Sequence, residues 1–486
     1  MRRGLLLWAG SAMCAVLVSG SCNIAAISAE PLAAATTAHV VAISAGFEHS
    51  LVLLSDGSVM SWGSNKMSQL GNGTQVTASV PTAVCAPNVT SCPPGSPSSS
   101  YLHGVKAIAA GAFFSLALLD DQTLMAWGRA GDGSQGSLGI GRTRGNACNG
   151  ECQTVPVQVC AVGVASCPAG SPPSAFLQGV TAIGAGTFFG LAVLTDTSVV
   201  AWGSNTSGQI GNADVKDRIA QPVAVCAAGV KSCPPGSSPD KLLTGVTSVS
   251  GGDSFSLALK GQTVMGWGQN RYGQLGNGTV NGPDKCGTIA CSKAPLAVTR
   301  LKLPASAISA GNYHSVAMVT GPDGTPNGVE SWGSNTEGQI GIGSKLGNAC
   351  KGDCQTTPVA VPGDWKGVSA ISGGRSFSLA LVNGHVMAWG VNHNPGRLGD
   401  GTLKSTSGPV AVCGISVKNC GLTSPDSKLL HGATAISAGG TVSLALLPKV
   451  VAVWGSNYKG SLGIASDAPG GTKFPLQVHG LIGRGE

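Results

Sequence analysis

The chain has 486 residues, of which 10% are charged, 42% are apolar and 74 are glycine, with a formal net charge of +7. Charge this sparse, with two of the positives at Arg2 and Arg3, leaves no dense basic patch for phosphates and sets nucleic acid aside as a partner. Abundant glycine and the lack of a long helical apolar period point to short strands joined by tight turns.

In chain order, MRRGLLLWAGSAMCAVLVSGSCN opens on a basic pair and continues with an apolar stretch of signal-peptide length. It is short for a membrane span, which takes about 20 apolar residues. Residues 1–21 are therefore expected to be a signal peptide. VSGSC runs small residues into Cys22 and is similar to a bacterial lipobox, although Ser19 stands where leucine is usual. Lipidation of Cys22 is expected, with simple secretion as the alternative. Residues 22–38 are rich in Ala, Ser and Thr and read as a flexible tether to a domain spanning 39–486.

The first unit follows. VVAISAG reads as a strand A ending at Gly46, and SLVLL, after the turn FEH, as a strand B. Ser55-Asp56-Gly57 is a hairpin turn in which Asp-Gly supplies the positive φ. VMSWG is the return strand C, SNKMSQLGNGT a Gly- and Asn-rich connection, and PTAV a closing strand D whose proline suits an edge. The WG strand recurs at Trp62, Trp127, Trp202, Trp267, Trp332, Trp389 and Trp454. Each copy is followed by a PxxV piece, at Pro81, Pro156, Pro222, Pro295, Pro358, Pro409 and Pro475. Four short antiparallel strands repeated seven times predict an all-β chain, a seven-bladed β-propeller of four-stranded antiparallel blades. The tryptophans are then apolar plugs between neighbouring sheets, and the glycines and asparagines of the connection shape its turn.

Fourteen of the 16 cysteines fall into close pairs: Cys85/Cys92, Cys148/Cys152, Cys160/Cys167, Cys226/Cys233, Cys286/Cys291, Cys350/Cys354 and Cys413/Cys420. Cys14 would leave with the signal peptide, and Cys22 alone remains. Structural zinc favours Cys-x-x-Cys pairs or added histidines, and neither spacing occurs here. An exported chain meets an oxidising compartment, so seven local disulfides are expected and no metal.

The pattern (A/G)G-x-x-H-S, DG-x-V, WG-x-N-x-x-GQLG-x-G-T and P-x-x-V, seen across residues 40–478, resembles the regulator of chromosome condensation repeat. The resemblance implies a seven-bladed propeller. Its founding member is a nucleotide-exchange factor for the small GTPase Ran. Other members are ubiquitin-ligase components and a secreted bacterial inhibitor of β-lactamase, so fold transfers and function does not.

In a four-stranded meander the A–B turns and C–D connections share one face, and the B–C hairpins and D–A crossovers the other. The third position of the A–B turns is always bulky (His49, Phe114, Phe189, Phe255, His314, Phe377, Val442), which suggests packing between blades and makes His49 and His314 core residues. The first two positions vary. Phe47, Glu48, Phe113, Phe188, Asp253, Asn312, Tyr313 and Arg375, with Arg271 and Tyr272 from a C–D connection, mix aromatics with single charges as protein-binding surfaces do. Lys66, Arg129, Asp132, Glu337, His393, Tyr458 and Lys459 would frame them.

Enzyme motifs do not hold together. GDGSQG at 131–136 has no helix after it to complete a dinucleotide fingerprint. SPDK at 238–241 and SNYK at 456–459 lack the partner motifs of penicillin-recognising enzymes. No catalytic residue and no cofactor are expected. The sequence reads as an exported, non-enzymatic, monomeric protein-interaction module at the bacterial cell envelope, bound to the membrane through lipid only, with an unknown protein partner. Two alternatives stand: a guanine-nucleotide exchange factor-like regulator of a small GTPase, and a secreted inhibitor or accessory module of an extracellular hydrolase.

Overall fold

The computed structural model describes residues 38–130, 136–141, 145–344, 347–393, 395–421, 424–465 and 470–481. Residues 1–37, and with them the signal peptide, nearly all of the tether and Cys22, lie outside the described residues, as do Asp132 and most of GDGSQG.

Seven antiparallel sheets follow one another along the chain, each cut from one contiguous stretch. In the first blade, strands Val40–Ala45, His49–Leu54, Val59–Gly63 and Ala78–Ala83 pair in that order. Strand A lines the central channel, whose cavity is about 250 Å³, and strand D is outermost. The propeller and its four-stranded antiparallel blades are thus as the sequence predicts.

Two details differ. Strand D begins before its proline: Pro81 sits inside the strand, in a bulge opposite Trp62 where the register shifts between Ser61 and Gly63. An unpaired stretch on an outer strand is where a residue with no N–H does no harm. The fourth blade gains a fifth strand, Asp284–Cys286, folded back on Ile289–Ala297, with the Cys286–Cys291 disulfide across this hairpin.

The repeated phrase builds the seams between blades. Trp62, Trp127, Trp202, Trp267, Trp332, Trp389 and Trp454 are all 0% exposed. Each indole N–H donates to a backbone carbonyl in the preceding blade's C–D connection: Trp127 and Trp267 to Gln69 and Gln209 at 2.9 Å, for example, and Trp454 to Arg397 at 2.7 Å. A bulky apolar ring with one polar group satisfied is the side chain such a gap requires. The phrase's glycine makes room for it. A Cβ on Gly71, whose φ is +66°, would stand 2.7 Å from the Trp127 ring. The asparagine fixes the connection itself, since Asn65 accepts the Leu70 N–H at 3.0 Å and donates to the Thr74 carbonyl at 2.9 Å.

The ring closes without a shared strand. Trp62 donates to Ser461 of the seventh blade at 3.2 Å, and Gly463 lies under Trp62 as Gly71 lies under Trp127. Val52 and Trp62 pack in one cluster with Val442, Leu444 and Val453. Around the channel, serines of strand A reach the next strand A, as Ser437 accepts the Ala45 N–H across the closing seam at 2.9 Å. The one salt bridge among the described residues, Lys459 to Glu48 at 2.9 Å, spans this seam too.

All seven cysteine pairs are disulfides: Cys85–Cys92, Cys148–Cys152, Cys160–Cys167, Cys226–Cys233, Cys286–Cys291, Cys350–Cys354 and Cys413–Cys420. Four staple D–A crossovers. The crossover after Val361 has none, and there Trp365 is buried against Trp389, ring centroids 5.9 Å apart.

Candidate protein-binding face

The third position of each A–B turn is fully buried, as expected from its uniform bulk. Phe114, Phe189, Phe255 and Phe377 fill it with carbon. His49 and His314 fill it with imidazole, and their Nε2 atoms meet Ser115 Oγ at 3.0 Å and Ser378 Oγ at 2.8 Å in the next blade. Burial pushes both histidines down to about 3.

Backbone hydrogen bonds hold the first two positions. The N–H of the first donates to the next blade, as from Thr187 to Gly252 and from Arg375 to Gly439. The carbonyl of the second accepts from its own C–D connection, as Phe113 does from Arg129 at 2.9 Å and Tyr313 from Ser334 at 2.8 Å. The side chains are thereby turned onto the face and set beside the C–D residues.

There the predicted aromatics meet. Phe113 stacks on Phe188 with centroids 5.7 Å apart, and Phe47 reaches Phe113 at 6.2 Å. Phe47 can lean over the seventh blade because that turn carries glycine: a Cβ on Gly440 would stand 2.6 Å from its ring. Arg375, from the sixth blade, lies over Phe47 at 5.2 Å, and Arg129 over Phe188 at 5.4 Å. The result is an aromatic arc, partly buried, with a guanidinium on each end.

On the other side Tyr272 and Tyr313 pair at 5.4 Å, with Arg271 over Tyr272 at 4.7 Å. Asp253 accepts from Thr187 at 3.0 Å and from Ser254 at 3.0 Å. Burial, and then the Asp253 charge, raise the Tyr313 hydroxyl above its ordinary range. Asn312 contributes its backbone to the ring of turns. Glu48 is engaged by Lys459, and Tyr458 beside it is 59% exposed.

Sequence reading missed Arg397. It stands in GRLG where four of the other copies have glutamine and two have serine before the aliphatic residue and glycine, and that departure was the available signal. It is half-buried, and burial, then the neighbouring Arg375 charge, lower its guanidinium from the ordinary value. Among the described residues no group of three or more His, Cys, Asp or Glu could hold a metal ion.

Fold and face together define a propeller of the protein-interaction kind. Two family models match the chain, both described as the regulator of chromosome condensation (RCC1) repeat, one at residues 40–69, 105–134 and 180–209, the other at 56–118, 263–318 and 329–381. The matched stretches are RCC1 repeats. Among curated proteins it is similar to the Arabidopsis thaliana ultraviolet-B receptor UVR8, 26% identical over 386 residues that make up 78% of this chain and 71% of the receptor. It is also similar to the probable human E3 ubiquitin-protein ligase HERC6, 27% identical over 63% of this chain but only 24% of the ligase. Among solved structures, human WBSCR16 superposes with a TM-score of 0.60 at 19% identity, covering 87% of this chain and 94% of that one. Prp20p of Saccharomyces cerevisiae, described with its binding to Gsp1p and histones, superposes with 0.59 at 19%, covering 84% and 82%. At these identities the structures establish the fold.

Proposed function

We propose that this chain is a non-enzymatic protein-binding propeller that works outside the cytosol and engages its partner through the A–B/C–D face. One observation carries the reading. Phe47, Phe113 and Phe188 come from three blades and form a contiguous, partly buried cluster, while the fully buried positions beside them are filled by other side chains. Aromatic rings gathered on a rim are the usual anchors of protein interfaces. Prp20p's binding to protein partners agrees with it. The HERC6 match covers a quarter of that ligase, so ligase chemistry is not carried over. Seven disulfides suit an oxidising compartment, and lipidation at Cys22 would hold the domain at a bacterial cell envelope.

The test is capture from envelope extract by the mature chain, wild type against Phe113→Ala with Phe188→Ala. Loss of capture is expected with folding intact, the truncation of two partly buried rings costing about 1 kcal/mol each. Trp127→Ala is the control and should destabilise by about 3–5 kcal/mol. Should the phenylalanine pair melt the fold as Trp127→Ala does, the rings are core and the face is misassigned. Cys22→Ala should move the protein from the membrane to the soluble fraction, and an unchanged distribution favours simple secretion.

A further inference from the structure

The face has cations that no ion pair holds. Among the described residues the only carboxylate within 4.0 Å of a lysine, arginine or histidine is Glu48, and Lys459 takes it. Arg129, Arg271, Arg375 and Arg397 therefore have no ion-pair partner among those residues. The Nε atoms of Arg129 and Arg397 are buried with no hydrogen-bond acceptor. Three of the four guanidiniums are already positioned, since Arg129, Arg271 and Arg375 each lie over an aromatic ring at 4.7–5.4 Å. Stacking a planar guanidinium occupies its face and leaves its N–H edge open, which is the edge that takes a carboxylate in bidentate fashion. Little rotamer freedom then remains to be lost on binding.

The face's own acids are too few to match its arginines. Glu48 is in its salt bridge, Asp253 is occupied by Thr187 and Ser254, and Glu337 acts on Arg397 without an ion pair. A second copy of this face brings one such carboxylate, Glu337, against four arginines. The Phe arc runs between Arg375 at one end and Arg129 at the other, so charge flanks its apolar surface on both sides.

We propose that the face receives an acidic segment of a partner protein in which carboxylates flank apolar side chains. Its carboxylates go to Arg129, Arg375, Arg397 and Arg271, and its apolar side chains lie on Phe47, Phe113 and Phe188. This rests on the reading that the face binds protein. Nucleic acid fits less well: four separated arginines, with Glu48, Asp253 and Glu337 among them, do not track a phosphate backbone.

The probes are two short synthetic peptides, one with Glu flanking Phe and the other with Gln flanking Phe, titrated against the mature full chain. The acidic peptide should bind, weaken as salt rises, and bind better than its amide counterpart by roughly tenfold or more. Arg129→Gln with Arg375→Gln should erase that preference while the buried-tryptophan emission stays native. Equal binding of the two peptides, binding of neither, or an acidic preference that survives the arginine changes overturns the proposal. So does displacement of the acidic peptide by a single-stranded oligonucleotide with the same arginine dependence. The protein-binding reading is judged separately, by whether Phe113→Ala with Phe188→Ala loses capture; that result can stand while the acidic preference fails.

Discussion

Replacing His49 and His314 by phenylalanine should make the propeller more resistant to acid. Both imidazoles are fully buried, and burial pushes both down to about 3 from an ordinary 6.5. Between those values the unfolded chain binds two protons that the native chain refuses. Stability therefore rises with pH in this window: the contribution is complete above about 6.5 and is lost as pH falls toward 3. Each histidine gives a limiting slope of about 1.4 kcal/mol per pH unit, so the two together remove about 4 kcal/mol between pH 7 and pH 5. That is a large fraction of a typical folding free energy.

Phenylalanine is the natural replacement, because Phe114, Phe189, Phe255 and Phe377 already occupy the equivalent sites at 0% exposure. The serine partners lose nothing essential. Ser115 Oγ still donates to the Gln69 carbonyl at 2.9 Å, and Ser378 Oγ to Gln339 at 2.9 Å. The change also removes two buried Nδ1 atoms that have no partner. At pH 7 the double variant should equal or exceed wild type, gaining about 1 kcal/mol per relieved atom. Urea midpoints followed by tryptophan emission at pH 7, 6 and 5 measure both effects, and subtracting the two profiles cancels the carboxylates they share. Identical pH slopes would refute the reasoning and place those imidazoles in contact with water.

Gly71→Ala should cost about 3 kcal/mol, since its Cβ meets the Trp127 ring at 2.7 Å in a left-handed backbone, whereas Gly95→Ala, with nothing within 4 Å, should cost about 1 kcal/mol; paired denaturation curves decide. Gln122 holds φ +67° in the turn where the first blade has Gly57 and makes no side-chain hydrogen bond, so Gln122→Gly should gain about 1 kcal/mol in the same assay. A chain starting at Asn23 should show essentially no thiol labelling when denatured without reductant, and Cys85→Ala with Cys92→Ala should lose about 2 kcal/mol; stoichiometric zinc with free thiols contradicts this.

The repeat made the fold legible because each recurring side chain does one job seven times. The tryptophan fills a seam, the glycine beneath it makes room, and the asparagine stitches its connection. Departures from the repeat were harder. The hairpin of Asp284–Cys286 and Ile289–Ala297 is reduced in two other blades to single bridges, Ala147 with Cys152 and Ala349 with Cys354, so its cysteines revealed a pairing but not a strand. Phe47 occupies the first position of its turn and Phe113 the second, and nothing local says that their rings meet. That contact depends on Gly440, far away in sequence, and on ring closure, which Lys459 and Glu48 join without any motif. Arg397 was visible only as an exception to a phrase whose other residues are structural.

The same repetition separates what the fold requires from what it leaves free. The seventh blade has Gly440 and Thr441 at the two open positions of its A–B turn, side chains too small to pack across the face. It nevertheless makes the ring's bonds: Gly440 N–H donates to Gly46 at 3.0 Å, and the Thr441 carbonyl accepts from Ser456 at 2.9 Å. The backbone satisfies these positions whatever side chain they carry, so the fold does not call for Phe47, Phe113, Phe188, Tyr313 or Arg375. Aromatic rings left partly wet at sites where glycine serves are a cost in solubility for a small return in stability. What they have in common is the face they share, and the binding proposed for that face accounts for them.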